Sequence, residues 1–263
     1  IGGRLTRFAK FLKFGMAGMI VIFLLGHHDL YHWTHAELYD KASPEYDHIL
    51  AGKQGFLNIP FFVIRLVAYA AIWIGFTMML RKHSLLEDKE GGLEHYKRSI
   101  TLSAIFIVLF AITSSTSAWD FLMSIDAHWF STLFGWYTFA GLFVSGLAMM
   151  AMFILYLRGR GYMNHITENH LHDVGKFMFA FSVFWTYLWF SQFMLIWYAN
   201  LPEEVVYYQL RWEQFRTLWV ANLLINFCAP FLILMTRDAK RQTAILWVGG
   251  AVIILGHWLD VFM

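Results

Sequence analysis

A single cysteine, Cys228, in 263 residues leaves no disulfide framework within the chain, no thiolate set for an iron–sulfur cluster and no C-x-x-C-H haem attachment. Any redox centre that works with this chain uses other ligands or sits on a partner. Charge is also scarce. Only 14% of the residues are Asp, Glu, Lys or Arg, the formal net charge is +2, and the cations are dispersed between hydrophobic runs, which excludes the clustered basic surface of a nucleic-acid-binding protein. Internal repeats and low-complexity segments are missing, and no polar gap is long enough for a soluble domain. What is abundant is apolar: 59% of the chain is hydrophobic, 19% is aromatic, and the mean hydropathy is +0.51. That composition belongs in a bilayer.

About 20 apolar residues cross the hydrocarbon core, and seven runs qualify: roughly 14–32, 56–80, 100–124, 129–157, 175–199, 217–236 and 243–263. The fold class expected is an all-α integral membrane protein with at least seven transmembrane helices, forming a single membrane domain over 1–263. The opening "IGGRLTRFAKFLKF" is basic and then apolar, as a signal peptide is, but no small-residue cleavage site follows. It reads as a basic juxtamembrane segment, about 1–13, leading into a retained helix. The chain starts at Ile1 and its last apolar run stops at Met263 without a polar exit, so it is expected to be part of a longer protein.

Of the 20 Lys and Arg residues, 15 fall before the first run or in the second, fourth and sixth connections. The positive-inside rule makes that side, and the start of the chain, cytoplasmic. Trp33, Trp129, Trp197, Trp212, Trp219 and Trp258 gather near the opposite interface, where amphipathic rings settle.

Several polar groups are expected at that outer side. "GHHDLYHWTHAELYD", residues 26–40, carries four histidines, and His28, His32 and His35 share a face if the first helix continues that far. Arg65 and Asp120 lie at similar depth in the second and third spans and are placed to pair. Thr113, Ser117, Asp120 and Ser124 form one polar stripe. Asp126 and His128 follow it, and His257 and Asp260 lie three apart near the end of the last span. Trp185, Trp189 and Gln192 share a face of the fifth span and line a candidate aromatic pocket.

Each group also has a structural reading. Interfacial histidines snorkel, Arg65 with Asp120 makes a structural ion pair, the hydroxyl stripe acts as packing glue, and aromatic faces pack. His28 and His32 have the spacing of a zinc pair but lack an adjacent glutamate and a third ligand, so no metal site is expected. The loop "NHITENHLHDVGK" reads as a solvated connection and helix start.

Three long strings carry a resemblance: "SAWDFLMSIDAHWFSTLFGWYTFAGLFVSGL", "ENHLHDVGKFMFAFSVFWTYLWFSQFMLIWYANLPEEVVYY" and "INFCAPFLILMTRDAKR". From "GHHDLYHW" through "GHWLDVFM" the chain resembles the ActF family of membrane subunits of bacterial alternative complex III, within the polysulfide-reductase membrane-subunit, or NrfD-like, superfamily. The resemblance implies a roughly ten-helix protein of two four-helix bundles in the bacterial inner membrane. It implies partners that carry iron–sulfur clusters and c-type haems, a paralogous ActC subunit that is the usual assignment for quinol oxidation, and a quinone or menaquinone as the substrate.

The function expected is therefore that of a membrane subunit of a quinol:electron acceptor oxidoreductase without redox centres of its own, contributing an outward-side quinol site, a proton path or both. His28, Asp120, His128 and His257 are the candidates for taking a proton from quinol. His32, Arg65, Asp126, Asp260, Trp185, Trp189 and Gln192 are candidates for binding quinol or tuning the local field. If the chain only conducts protons, Thr113, Ser117 and Asp120 are the expected route. The alternatives are a scaffold without a site and an ion-coupled transporter using Asp120 with Arg65. Against the transporter, no span looks interrupted and no repeat is visible.

Overall fold

The computed structural model describes residues 11–163 and 165–263. Arg4, Arg7 and Lys10 of the basic opening lie outside the described residues. Seven helices are long and apolar enough to cross a membrane, and no strand occurs among the described residues. The protein is an all-α integral membrane protein.

The helices are α1 (Phe11–Leu30), α2 (His48–Lys53), α3 (Ile59–Glu90), α4 (Glu94–Phe121), α5 (Phe134–Gly159), α6 (Glu168–Ala199), α7 (Pro202–Leu223), α8 (Ala229–Leu234) and α9 (Thr243–Phe262). A π-helical segment, Leu224–Cys228, joins α7 to α8, so that Pro202–Leu234 is one span. The chain divides into two compact units, one ending at Phe130 and one beginning at Ser131.

Several helices extend beyond the apolar runs, whereas α5 begins at Phe134 rather than near 129. The polar connection after the second span is mostly helix: α3 has 32 residues, roughly 48 Å at 1.5 Å per residue, well beyond a hydrocarbon core of about 30 Å. Its charged end projects past the apolar layer. Only Gly91, Gly92 and Leu93 separate α3 from α4, and the two glycines turn the chain with φ of +69° and +79°, angles that cost little only without a Cβ. The sixth span begins at Pro202 rather than near 217, since "PEEVVYYQLRW" is helical despite its charge. That span is also interrupted, against expectation. Phe215 has non-helical angles (φ −122°, ψ 22°), and the π-helical segment follows.

In the first unit, the connection 31–58 folds onto the ends of α1 and α3. Tyr31, Trp33, Leu38, Leu50 and Leu57 bury themselves with Phe23 and Phe62. Asn58 caps α3 by accepting from Phe61 N at 2.9 Å, with Pro60 in the first turn, where a missing N–H costs nothing.

In the second unit, α5, α6 and α9 pack around Val144, Ala148, Ala151, Met178, Leu246 and Ile253. Small residues set this approach, as between membrane helices generally. A Cβ on Gly250 would come within 3.0 Å of Met152 Cγ. Lys240 closes the end of α8, donating from Nζ to the carbonyls of Leu234 and Met235 at 2.8 and 3.0 Å. This is a favourable place for a cation, although burial and the nearby Lys176 push its amine below the usual value.

Candidate functional site

Each unit holds one carboxylate in a polar nest within its apolar spans. In the first, α3 brings Arg65 to Asp120 on α4. Arg65 Nε donates to Asp120 Oδ2 and Nη2 to Oδ1, both at 2.8 Å, the planar two-point geometry that suits guanidinium and carboxylate. Tyr69 O–H donates to Oδ2 at 2.6 Å. Arg65 Nη1 donates to the Phe56 carbonyl at 3.1 Å, and its guanidinium lies 3.9 Å from the Phe56 ring centroid and 4.3 Å from that of Phe61. Charge, donors and aromatic faces are all matched, and Asp120 is 1% exposed.

The stripe below Asp120 is buried, but its hydroxyls bond to their own helix. Thr113 donates to Leu109 O at 2.8 Å, Ser117 to Ser114 O at 2.9 Å and Ser124 to Asp120 O at 2.5 Å. Thr113 also accepts from Trp73 Nε1 at 2.9 Å.

The histidines of the first unit go elsewhere. The helix stops at Leu30, so His28, His32 and His35 do not share a helical face. The chain instead reverses, with Thr34 Oγ1 donating to Tyr31 O at 2.8 Å. This brings His35 Nε2 within 3.0 Å of His28 Nδ1 and sets the His32 ring edge-on to His35 at 5.1 Å. His28, His32 and Asp126 are exposed. His128 Nε2 pairs with Asp47 Oδ2 at 2.5 Å, and Asp47 Oδ1 caps α2 by accepting from Ile49 N and Leu50 N. Partial burial works to raise the Asp47 carboxyl, but the bonds from His128 and the two amides prevail and hold it below its usual value. Burial, with Asp120 nearby, pushes the Tyr31 phenol up to about 12.

A cavity of about 210 Å³ in the same unit is lined among others by Lys53, Phe56, Trp119, Ser124 and Phe130. Its wall shares Phe56 with the Arg65 stack. Lys53 Nζ donates to Ala127 O at 2.6 Å.

In the second unit, Asp260 on α9 accepts from the Tyr137 hydroxyl of α5 and from Asn222 Nδ2 of α7 at 2.8 Å. Asn226, one π-helical turn on, donates to Asn222 Oδ1 at 2.5 Å. His257 is buried and stands edge-on to Trp185 at 5.1 Å, with Trp185 in turn 5.6 Å from Tyr137. Trp189 stacks next along α6 at 6.4 Å, and Gln192 is buried on the same face. His257 Nδ1, Asn226 Oδ1 and Gln192 Oε1 are buried without a hydrogen-bond partner among the described residues. Arg211 is turned to Tyr207, donating to its carbonyl at 3.0 Å with its guanidinium 3.4 Å from the ring centroid. No cation pairs with Asp260 among the described residues.

The structure thus joins Arg65 with Asp120 and groups His257, Asp260, Trp185, Trp189 and Gln192. Sequence reasoning did not select Asp47, Tyr69, Tyr137, Asn222 or Asn226. The two asparagines had a signal, a pair four apart inside an apolar span, whereas the tyrosines had none. Among the described residues no group of three or more His, Cys, Asp or Glu side chains is placed to hold a metal ion. The fold and these nests define a multi-pass membrane protein with ionisable groups at the ends of its spans. Neither a known family model nor a curated protein matches the chain.

Proposed function

We propose that this chain is a membrane subunit of a bacterial quinol-oxidising assembly of the alternative complex III type, and that its own residues handle protons while partner subunits take the electrons. The reading rests on the resemblance for the assembly and on one observation for the role. A carboxylate, Asp260, sits in an apolar span among neutral donors, three residues along the same helix from buried His257, whose Nδ1 has no hydrogen-bond partner among the described residues. Quinol oxidation releases two protons with two electrons. A carboxylate whose charge is not neutralised by a bound cation is suited to take up a proton and pass it on, with His257 as the next acceptor. The interrupted sixth span fits this role, since π-helical turns recur at functional sites, and here one places Asn226 beneath Asn222.

In this reading quinone or menaquinone is the substrate. The iron–sulfur clusters and c-type haems belong to partner subunits, the ActC paralogue is a further membrane partner, and the bacterial inner membrane is the location, with the start of the chain cytoplasmic. Arg65 with Asp120 is then a structural and field-setting pair. The deciding experiment is quinol oxidation by the assembled complex carrying Asp260→Asn. The expected loss is on the order of 100-fold, the lower end for a positioned acid–base group, with the subunit still assembled. Unchanged turnover and proton release overturn the reading and leave the scaffold.

A further inference from the structure

A basic groove of about 360 Å³ lies between the start of α1 and the projecting end of α3, lined by Lys13, Arg81, Lys82 and Lys89 together with apolar residues that include Met78 and Leu85. None of the four cations makes an ion pair among the described residues. Arg81 also lines it, with its Nε buried and without a hydrogen-bond partner among the described residues. The acidic residues of the same turn, Glu87, Asp88 and Glu90, are not among its lining, and Glu90 accepts from His95 Nε2 at 2.8 Å.

Depth points to the ligand. From Ile59 to Leu80 the apolar part of α3 covers roughly 33 Å at 1.5 Å per residue, which matches a hydrocarbon core of about 30 Å. Arg81 and Lys82 therefore fall at the level of lipid phosphates, with Lys89 further out. Met78, 52% exposed, lies on the hydrocarbon side, where an acyl chain runs. Basic pockets between spans at this level bind anionic lipid headgroups.

We infer that this groove is a binding site for the phosphodiester headgroup of an anionic phospholipid, held by Lys13, Arg81, Lys82 and Lys89 with its acyl chains against α3. The inference is independent of the proton-handling role. It requires only that the chain sits in a bilayer.

The test is native mass spectrometry of the full chain, delipidated in a neutral detergent, with dioleoylphosphatidylglycerol, dioleoylphosphatidylcholine and inorganic phosphate as probes. Phosphatidylglycerol is expected to be retained at least about fivefold better than phosphatidylcholine, with excess phosphate failing to displace it. Exposed Lys82→Gln and Lys89→Gln should each weaken retention about fivefold, while Arg158→Gln with Arg160→Gln, outside the groove, leaves it unchanged. Equal retention of the two lipids overturns the site, as does an equal effect of the control pair. Displacement by phosphate assigns the groove to a soluble anion instead and also overturns it.

Discussion

Asp120 and Asp260 occupy comparable places, each near the end of an apolar helix with a tyrosine hydroxyl donating to it, yet their surroundings solve different problems. Asp120 is locked to Arg65 by two hydrogen bonds, and the guanidinium is spent on Phe56, Phe61 and the Phe56 carbonyl. Asp260 has neutral donors and unpaired polar atoms in its unit. A fully matched pair resists change of protonation, because removing the charge of either member strands the other. A carboxylate among neutral dipoles accommodates both states at smaller cost. The comparison shows why an ionisable residue inside a span is not by itself a mechanism. The neighbours decide whether it is a rivet or a relay.

The sharpest break of this contrast is Arg65→Ala. It leaves the Asp120 carboxylate uncompensated, and the expected destabilisation is about 3–5 kcal/mol, read as a lowered thermal unfolding midpoint in detergent. Replacing both members by leucine should recover most of that loss, since an apolar pair of similar size leaves no stranded charge. If the single and double variants unfold alike, the pair is not a rivet.

Gly256→Ala probes the other unit. A Cβ there would meet Ile225 Cγ2 at 2.8 Å and would also collide with Asn226 Oδ1, at the π-helical segment that positions the asparagines. Overpacking of this kind costs about 1–3 kcal/mol. The effect should appear as a weakened Asp260 cluster, seen by faster hydrogen exchange in α9, while exchange in the first unit is unchanged. Uniform destabilisation of both units would show that the close approach of α9 serves the whole molecule.

Asp47→Ala is a smaller perturbation at about 1 kcal/mol, the usual worth of a helix N-cap. The partly exposed contact to His128 adds little, as such pairs do. Acid should mimic the substitution. The folded-state carboxyl lies below its unfolded value of about 3.9, so its contribution is present above that value and is lost as pH falls through the lower folded one. Protection of the Ile49 and Leu50 amides, taken relative to the intrinsic exchange rate at each pH, should fall in the wild type as pH drops below the unfolded carboxyl value. In Asp47→Asn, which has no charge to lose, this acid response should flatten. A response that persists would assign the acid sensitivity to another group.

The seven spans were legible because length and apolarity in a bilayer admit few other solutions. Arg65 with Asp120 was legible from depth alone, as two opposite charges in adjacent spans have little else to bond. The helix ends were not. Charged helical extensions such as Arg81–Glu90 read as loops when hydropathy is the ruler, although nothing about lysine or glutamate opposes a helix in water. The histidine stretch misleads for a related reason. Its regular spacing fits a helical face, but the chain leaves the helix at Leu30 and folds back through Thr34. Asp260 was visible as an ionisable group, while its meaning depended on Tyr137 and Asn222, which lie 123 and 38 residues away and carry no mark in a single sequence.

The smallest effect on stability is expected where the effect on function is largest. Asp260→Asn keeps a carbonyl oxygen able to accept from Tyr137 and Asn222, and it removes a charge held in no direct ion pair among the described residues, with Arg211 acting on it only at longer range, so folding should change by less than about 1 kcal/mol. Asp120→Asn should cost more, because it breaks the charge balance with Arg65. Thermal midpoints of the two variants, measured side by side, therefore rank the carboxylates. If Asp260→Asn is the more damaging, its nest contains an ionic partner and the proton-handling reading loses its basis. The opposite order, together with a selective loss of quinol turnover in Asp260→Asn, separates the relay from the rivet within one pair of isosteric changes.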